Sequence, residues 1–407
     1  MPIDRKRLGV IFLTVLIDLV GFGIVLPILP YLAQSLGASG LGLGLLMGAY
    51  SGMQFFSTAL LGRLSDRVGR RPILLLTMVI NAAGYLLFAF AGSYAWLLVA
   101  RLISGLASGN ISVAQAYIAD ISAPHERSRA MGMIGAAFGL GFILGPAIGG
   151  LAGHYWGHTA PGLVAAGLSV LNLALAWRIL PESLHEEHRS ARALFDFGHI
   201  GEAFRDLRLR ALMAVWALAP FAFAGFSAVM PLHTRARFGW GARELGLAFT
   251  VIGIVAAIVQ GWAFGQLARR LGDRTLLVTG ALGMATCLTA LGFLPTSAAV
   301  YVWTAVFAFS NSLFGPAATG MVSILADPSE QGSVLGAAQA LGALGRLAGP
   351  EVYGAVYDGG GPVAAYLATA VVMGLAGVAA MRVPASSARG ELGKTGAVPL
   401  QEPLVDR

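Results

Sequence analysis

Charge is what this sequence has least of. Of its 407 residues 12% are charged and 57% are hydrophobic, whereas a soluble domain carries about 25% charged residues. With a mean hydropathy of +0.74, a soluble globule is excluded and an integral membrane protein remains. Lysine is almost missing: Lys6 and Lys394 stand alone among 27 basic residues. One cysteine, Cys287, lies inside an apolar run, which excludes an internal disulfide and a thiolate metal site. There is no Walker loop, no metal-ligand spacing and no nucleophile elbow. ATP drive and hydrolysis therefore have no support, and an enzyme is not expected. The net charge of +7 would suit a nucleic-acid partner, but the arginines fall in alternate loops, so it is read as a topological signal and no nucleic acid is expected. His154, His158 and His233 lie near span ends and are read as exposed rather than as ligands.

What the sequence does have is apolar length. A span needs roughly 20 apolar residues, and twelve runs qualify, near 8–33, 40–62, 72–91, 94–120, 129–152, 160–180, 210–233, 242–267, 274–294, 298–326, 331–357 and 362–382. The first follows MPIDRKR like a signal peptide. It runs on to about Ala33 and contains Asp18, Pro27 and Pro30, so it is read as a retained first span.

Between the second and third runs stands GRLSDRVGRRP, Gly62 to Pro72, with Asp66 and the arginines 63, 67, 70 and 71. An arginine-rich hairpin between two spans belongs on the cytoplasmic side. The loops 34–39, 92–93, 153–159, 295–297 and 358–361 hold no Lys or Arg, with Arg235 and Arg237 in 234–241 as the exception. The other set holds Arg5, Lys6, Arg7, Arg127, Arg129, Arg269, Arg270 and Arg274. Both termini are thus expected in the cytoplasm, in a multi-pass protein of the plasma (inner) membrane. The expected organisation is a six-helix bundle over 1–180, a cytoplasmic linker over 181–209, a second six-helix bundle over 210–383 and a disordered tail over 384–407.

The halves repeat. Pro124-His125-Glu126 and Gly132 recur as Pro328-Ser329-Glu330 and Gly336; Gly145-Pro146 recurs as Gly349-Pro350; Gly21-Phe22 and Pro27 recur as Gly225-Phe226 and Pro231, each 204 residues on. The hairpin recurs weakly at Gly265–Arg274, 203 residues on. Two six-helix halves related by an axis along the membrane normal form a transporter architecture, with the substrate site between the halves near the midplane.

A few residues sit where charge is costly. Asp18 lies ~15 Å along the first helix, and a carboxylate at that depth marks a functional site by default. A group that takes and releases a proton there is what proton coupling needs; the plainer reading is a hydrogen bond to backbone near Gly21 and Gly23. Arg101 is the natural counter-charge of Asp18, or else a snorkelling tie between helix ends. Glu351 is a second proton-site candidate. Arg346, five residues earlier, does not face it along the helix, so each is expected to have a partner elsewhere. Asp66 is read as lying near the N-terminus of the third helix, where an anion is favoured, with Asp120 in reach of Arg70 or Arg71. Gly141, Gly145, Gly149 and Gly153 make a stripe that permits close helix approach and is read also as a sliding surface between the halves. Gln54, Asn81, Asn110, Gln115, Gln260, Asn311 and Gln339 are candidates to line a cavity, with an aromatic wall from Tyr50, Phe55, Phe221, Phe223, Phe226 and Trp262; lipid contact is the plainer reading of the aromatics.

GRLSDRVGRRP resembles motif A of the major facilitator superfamily. Arg101 in ARLISGLASG resembles the fourth-helix arginine of motif B, and Gly145-Pro146-Ala147-Ile148-Gly149-Gly150 resembles the fifth-helix motif C of antiporters. IDLVGFGIVLPILP, residues 17–30, resembles the first helix of twelve-helix drug/proton antiporters, with Asp18 at its acidic position; AYIADIS and Pro181-Glu182-Ser183 fit the same group. The chain looks most like tetracycline and multidrug efflux transporters. The resemblance implies an all-α major facilitator fold and an antiporter motif at Gly141, Gly145, Pro146, Gly149 and Gly150. It also implies a cytoplasmic gate of Gly62, Asp66, Arg67, Gly69, Arg70, Arg71 and Asp120 acting as a latch. Tetracycline exporters carry acids in the third and ninth helices. The matching positions here are Gly84 and about Met284, which argues against tetracycline itself.

The expected function is proton-coupled efflux of small apolar or amphipathic compounds by alternating access. The expected partners are a small-molecule substrate, protons and the lipid bilayer, the chain is expected to act as a monomer, and no cofactor beyond the proton gradient is needed. The alternatives are a transporter of a sugar or other metabolite on the same fold and a non-transporting sensor or scaffold.

Overall fold

The computed structural model describes residues 5–122, 127–183, 207–326 and 331–384. The repeated Pro124–Glu126 and Pro328–Glu330, the linker between Ser183 and Leu207 and the tail beyond Pro384 lie outside the described residues, as do the side chains of Arg5, Lys6, Arg7, Arg127 and Arg129. The described residues are helical and contain no strand. Among the described residues ten helical runs are long and apolar enough to cross a membrane. The last of them, Val334–Met381, holds two spans joined at Gly361, which alone leaves helical geometry with φ +76°. Gly40–Val68 is a further 29-residue helix packed within the bundle. This makes the twelve spans of the sequence reading.

Several breaks differ from expectation, each for a local reason. The first span stops at Val25 and restarts at Leu29 with Pro30 in its first turn, because Pro27 and Pro30 lack the N–H that a continuous helix needs. The second helix does not end at residue 62 but continues through the arginine-rich segment to Val68, and the third starts at Arg70. The hairpin is thus a single residue, Gly69, at φ +118° and ψ +154°. Only glycine occupies that region comfortably. The eighth span contains a π turn over Val259–Ala263 between Ala242–Ile258 and Phe264–Leu271.

The positive-φ residues expose the internal repeat. All six among the described residues are glycines: Gly37, Gly69, Gly157, Gly239, Gly272 and Gly361. They pair across the halves as Gly37 with Gly239, Gly69 with Gly272 and Gly157 with Gly361, at separations within two residues of one another. Chain reversal therefore uses the same device at corresponding loops. Gly69→Ala is expected to destabilise the protein by roughly 1–3 kcal/mol, because a Cβ would be strained by φ and would also meet Glu182 Oε2 at 2.5 Å. Thermal unfolding in detergent checks this; an unchanged midpoint would contradict it.

The glycine stripe of the fifth span packs inside its own half. Cβ atoms at Gly141, Gly145, Gly149 and Gly153 would meet Leu19, Gly23, Ile24 and Ile28 of the first span. The second half repeats this, with Gly345 and Gly349 against Phe221 of the seventh. The expected sliding surface thus falls on the neighbouring helix face: Gly150 lies against Ala242 and Gly246 of the eighth span, and Ile143 against Gly253. The pseudo-equivalent contact joins the second and eleventh spans, where Gly40, Gly44, Gly48 and Gly52 meet Asp358, Pro350, Glu351 and Leu347. Both sets of contacts run toward the membrane face opposite the arginine-rich turn, called the far face below.

Large apolar side chains ring the outside. Trp96, Tyr155, Trp156 and Phe293 are exposed near far-face ends, and Trp177 near the arginine face. Amphipathic aromatics collect at such depths because the ring prefers lipid and its polar edge prefers the headgroups.

Candidate functional site

Between the halves lies a cavity of about 430 Å³, lined by the first five spans and by the seventh, eighth and eleventh. Its wall is mainly apolar and aromatic, with Phe22, Tyr50, Tyr85, Phe138, Phe142 and Phe223 among its residues. Among the described residues, three charged side chains reach it: Asp18, Arg101 and Arg346.

Asp18 is buried on the first span. One carboxylate oxygen accepts a hydrogen bond from Asn110 Nδ2, and the other accepts from Asn172 Nδ2 at 3.2 Å. Asn172 Nδ2 also donates to the Thr14 carbonyl at 3.1 Å, which ties the sixth span to the first and fixes the amide's orientation. The backbone near Gly21 and Gly23 is not its partner among the recorded bonds; Gly21 packs on Tyr85 and Gly23 on Gly145.

Arg101 shares the cavity but does not pair with Asp18. Its guanidinium lies 4.3 Å from the Tyr50 ring centroid, and its Nε donates to the Leu46 carbonyl at 3.3 Å. A guanidinium over an aromatic face keeps its charge while partly satisfied by the ring. Arg346 lines the cavity from the second half, near Gly342 and Trp216. Glu351 is not among the lining residues: its carboxylate packs on Gly48 in the far-face contact. The two face apart, as their five-residue spacing implies.

Of the polar candidates, Gln54, Asn81 and Asn110 line the cavity with Tyr50. The structure places the others elsewhere. Gln115 and Gln339 are exposed, Gln260 is exposed within the π turn, and Asn311 is half-buried. Phe226 is fully buried and stacks on Phe307 at 4.3 Å, because its neighbour Phe223 takes the cavity-facing position. Trp262 is 70% exposed, which suits lipid contact. His233, expected at the surface, is instead buried, its ring 5.4 Å from that of Tyr366.

On the arginine face, Arg70 is the centre of a network. Its Nη1 contacts Asp66 Oδ1 at 2.5 Å and donates to Ser65 Oγ at 2.6 Å, while Nε donates to Asp120 Oδ2 at 3.2 Å. Ser183 Oγ also donates to Asp120, at 3.0 Å. The anion at the start of the third span is Glu182, which accepts from the backbone N–H of Arg70 at 2.9 Å and of Arg71 at 3.2 Å. Asp66 had been expected there; the helix extension to Val68 leaves it in the last turns of the second span instead. Arg67 lies in that same last turn, Gly62 faces Ser112 of the fourth span, and Arg71 donates to the Trp177 carbonyl at 2.7 Å. The partners of Asp66, Arg70 and Asp120 among the described residues all belong to the first half, so these three side chains do not bridge the halves in this state.

Sequence reasoning missed Asn172, Tyr85, the glycine series at 40, 44, 48 and 52, and Asp358. Asn172 had a signal: it is the one amide side chain inside the apolar sixth span. The glycine series had the same four-residue period as the stripe that was noticed.

A family model described as Major Facilitator Superfamily matches residues 11–350, with a second match over 235–405. Tetracycline resistance protein, class C, of Escherichia coli is 34% identical over 366 residues, 87% of this chain and 90% of that protein. Multidrug resistance protein 2 of Bacillus subtilis (strain 168) is 28% identical over 366 residues, 87% of this chain and 90% of that protein. The crystal structure of the human organic anion transporter MFSD10 (TETRAN) is similar at TM-score 0.71 and 28% identity, covering 93% of this chain and 100% of that one.

Proposed function

Because the chain belongs to the major facilitator superfamily and is a multi-pass membrane transporter, we propose that it is a proton-coupled exporter of small apolar or amphipathic compounds. The observation that carries this reading is Asp18: a buried carboxylate in the central cavity, hydrogen-bonded to two amides and paired with no cation among the described residues. A buried carboxylate is compensated by donors, by a cation or by a proton. Here two donors are in place and the cation stands off on Tyr50, so the proton is the exchangeable element. The mainly apolar wall, with aromatic rings from both halves, suits a flat apolar substrate, and relatives named for tetracycline and multidrug resistance support export.

In this reading the arginine face and both termini are cytoplasmic, and the two halves rock about the cavity. The structure then represents the state closed to the outside. The Asp66–Arg70–Asp120 network belongs to the released form of the cytoplasmic gate, its partners all drawn from one half. Asp18 takes a proton when the cavity faces outward and loses it inward, alternating with substrate. Arg101 is the counter-charge that a shift of the Tyr50 contact brings toward the ionised carboxylate. Glu351, packed on Gly48, belongs to the outer seal, with Asp18 as the main proton site.

The test uses purified full-length protein in liposomes containing a pH-sensitive dye, at zero membrane potential. Addition of a lipophilic fluorescent substrate outside is expected to move protons in the opposite direction, and a protonophore is expected to end accumulation driven by a pH gradient. Substrate movement with no proton movement would rule out the coupling and leave a facilitator.

A further inference from the structure

The far-face seal contains one polar contact of a different kind from the glycine packing around it. The helix of the second span begins at Gly40, and its N-terminal N–H groups have no partner inside the helix. Ser39 accepts from the Gly42 N–H at 3.1 Å. The next two are taken by the other half of the molecule: Asp358, on the eleventh span, accepts from the Gly40 N–H with Oδ1 and from the Leu41 N–H with Oδ2, both at 2.8 Å. The approach requires glycine, since a Cβ at Gly40 would meet both Asp358 Oδ1 and the Gly354 carbonyl at 2.7 Å.

The pseudo-equivalent helix start is built differently. The eighth span begins after Gly241, and the Gly241 N–H is taken by Glu244 of the same helix at 2.8 Å. One of the two matching interfaces is thus capped from within and the other from across. A cap supplied across the interface exists only while the halves touch. When they part, the Gly40 and Leu41 N–H groups and the carboxylate return to water, so the contact is strong enough to bias the closed state and weak enough to break.

We infer that Asp358 is the far-face gate residue of the transport cycle, a carboxylate from the second half that holds the first half shut by capping its second span. The inference rests on the alternating-access part of the reading above and not on proton coupling or on the substrate.

The test is a distance measurement on the full-length chain in lipid nanodiscs, without substrate or gradient. Spin labels go on Gly92→Cys and Pro295→Cys, exposed far-face positions in opposite halves, in a Cys287→Ser background. Asp358→Ala is expected to raise the ratio of long to short distances about fivefold, the size of a lost helix cap. Asp358→Asn, which keeps one accepting oxygen, is expected to give a smaller shift in the same direction. Ser39→Ala removes a cap bond of the same helix within one half and is expected to leave the distances unchanged. Unchanged distances in Asp358→Ala, or an equal shift in Ser39→Ala, would overturn the assignment. Because no proton or substrate enters the measurement, a failed coupling assay leaves this result standing, and the reverse holds as well.

Discussion

Asp18→Asn is expected to abolish transport driven by a pH gradient while leaving substrate exchange at zero gradient within a few-fold of wild type. The substitution is close to isosteric and keeps one oxygen for the amides of Asn110 and Asn172. It costs one hydrogen bond and leaves one buried donor unsatisfied, about 1–3 kcal/mol, because one amide N–H then faces an NH₂ group. What it removes completely is the site for an exchangeable proton. A carrier without that site can still turn over with substrate on both sides, since exchange needs only the loaded form to reorient. It cannot use a proton gradient. The wild-type rate is expected to vary with pH, and the variant rate is expected to be flat over the same range. Counterflow and gradient-driven uptake in the same liposomes separate the outcomes. Loss of both activities in a folded variant would place Asp18 in substrate binding, and retention of both would move the proton elsewhere.

Much of the fold was legible because membrane insertion is a coarse constraint. Apolar length gave the spans, and arginine placement gave their alternation. Helix ends were less legible, because a helix stops where its backbone can turn rather than where apolarity ends. Gly62 to Val68 is polar enough to be read as a loop, yet nothing in it ends the helix before Gly69. The same misreading put Asp66 at the wrong helix end and hid the role of Glu182.

The site was legible in its parts and not in its pairings. Asp18 and Arg101 stand out as charges inside apolar runs, and both do line the cavity. Opposite charge suggested that they meet, but a guanidinium has an aromatic alternative, and Tyr50 takes it. Which face of a glycine-bearing helix meets which neighbour depends on rotation, and one sequence does not supply it. Gly149 faces the first span while Gly150, one residue on, faces the eighth. A helix turns by about 100° per residue, so adjacent glycines serve contacts with different consequences.

That difference yields the sharpest structural prediction. Gly149→Val and Gly44→Val are expected to create overlaps of similar size with opposite results. At Gly149 a Cβ would strike the Ile24 backbone, with the carbonyl carbon and Cα both at 2.8 Å. At Gly44 it would strike the Pro350 backbone, with the carbonyl carbon at 2.6 Å and Glu351 Cα at 2.7 Å. Neither backbone can yield as a side-chain tip would, and overpacking of this kind costs about 1–3 kcal/mol or more. The Gly149 contact lies within the first half, so the strain has nowhere to go and is expected to appear as lost thermal stability or lost folded protein. The Gly44 contact lies between the halves, which relieve the strain by parting. Gly44→Val is therefore expected to stay folded, with a midpoint near wild type, to shift the far-face distances to longer values and to lose transport, because a carrier that cannot close one face cannot complete a cycle. Size-exclusion yield, unfolding midpoint and transport measured together decide it. If both variants lose folded protein alike, the second and eleventh spans behave as fixed core and the rocking of the halves is refuted at this interface.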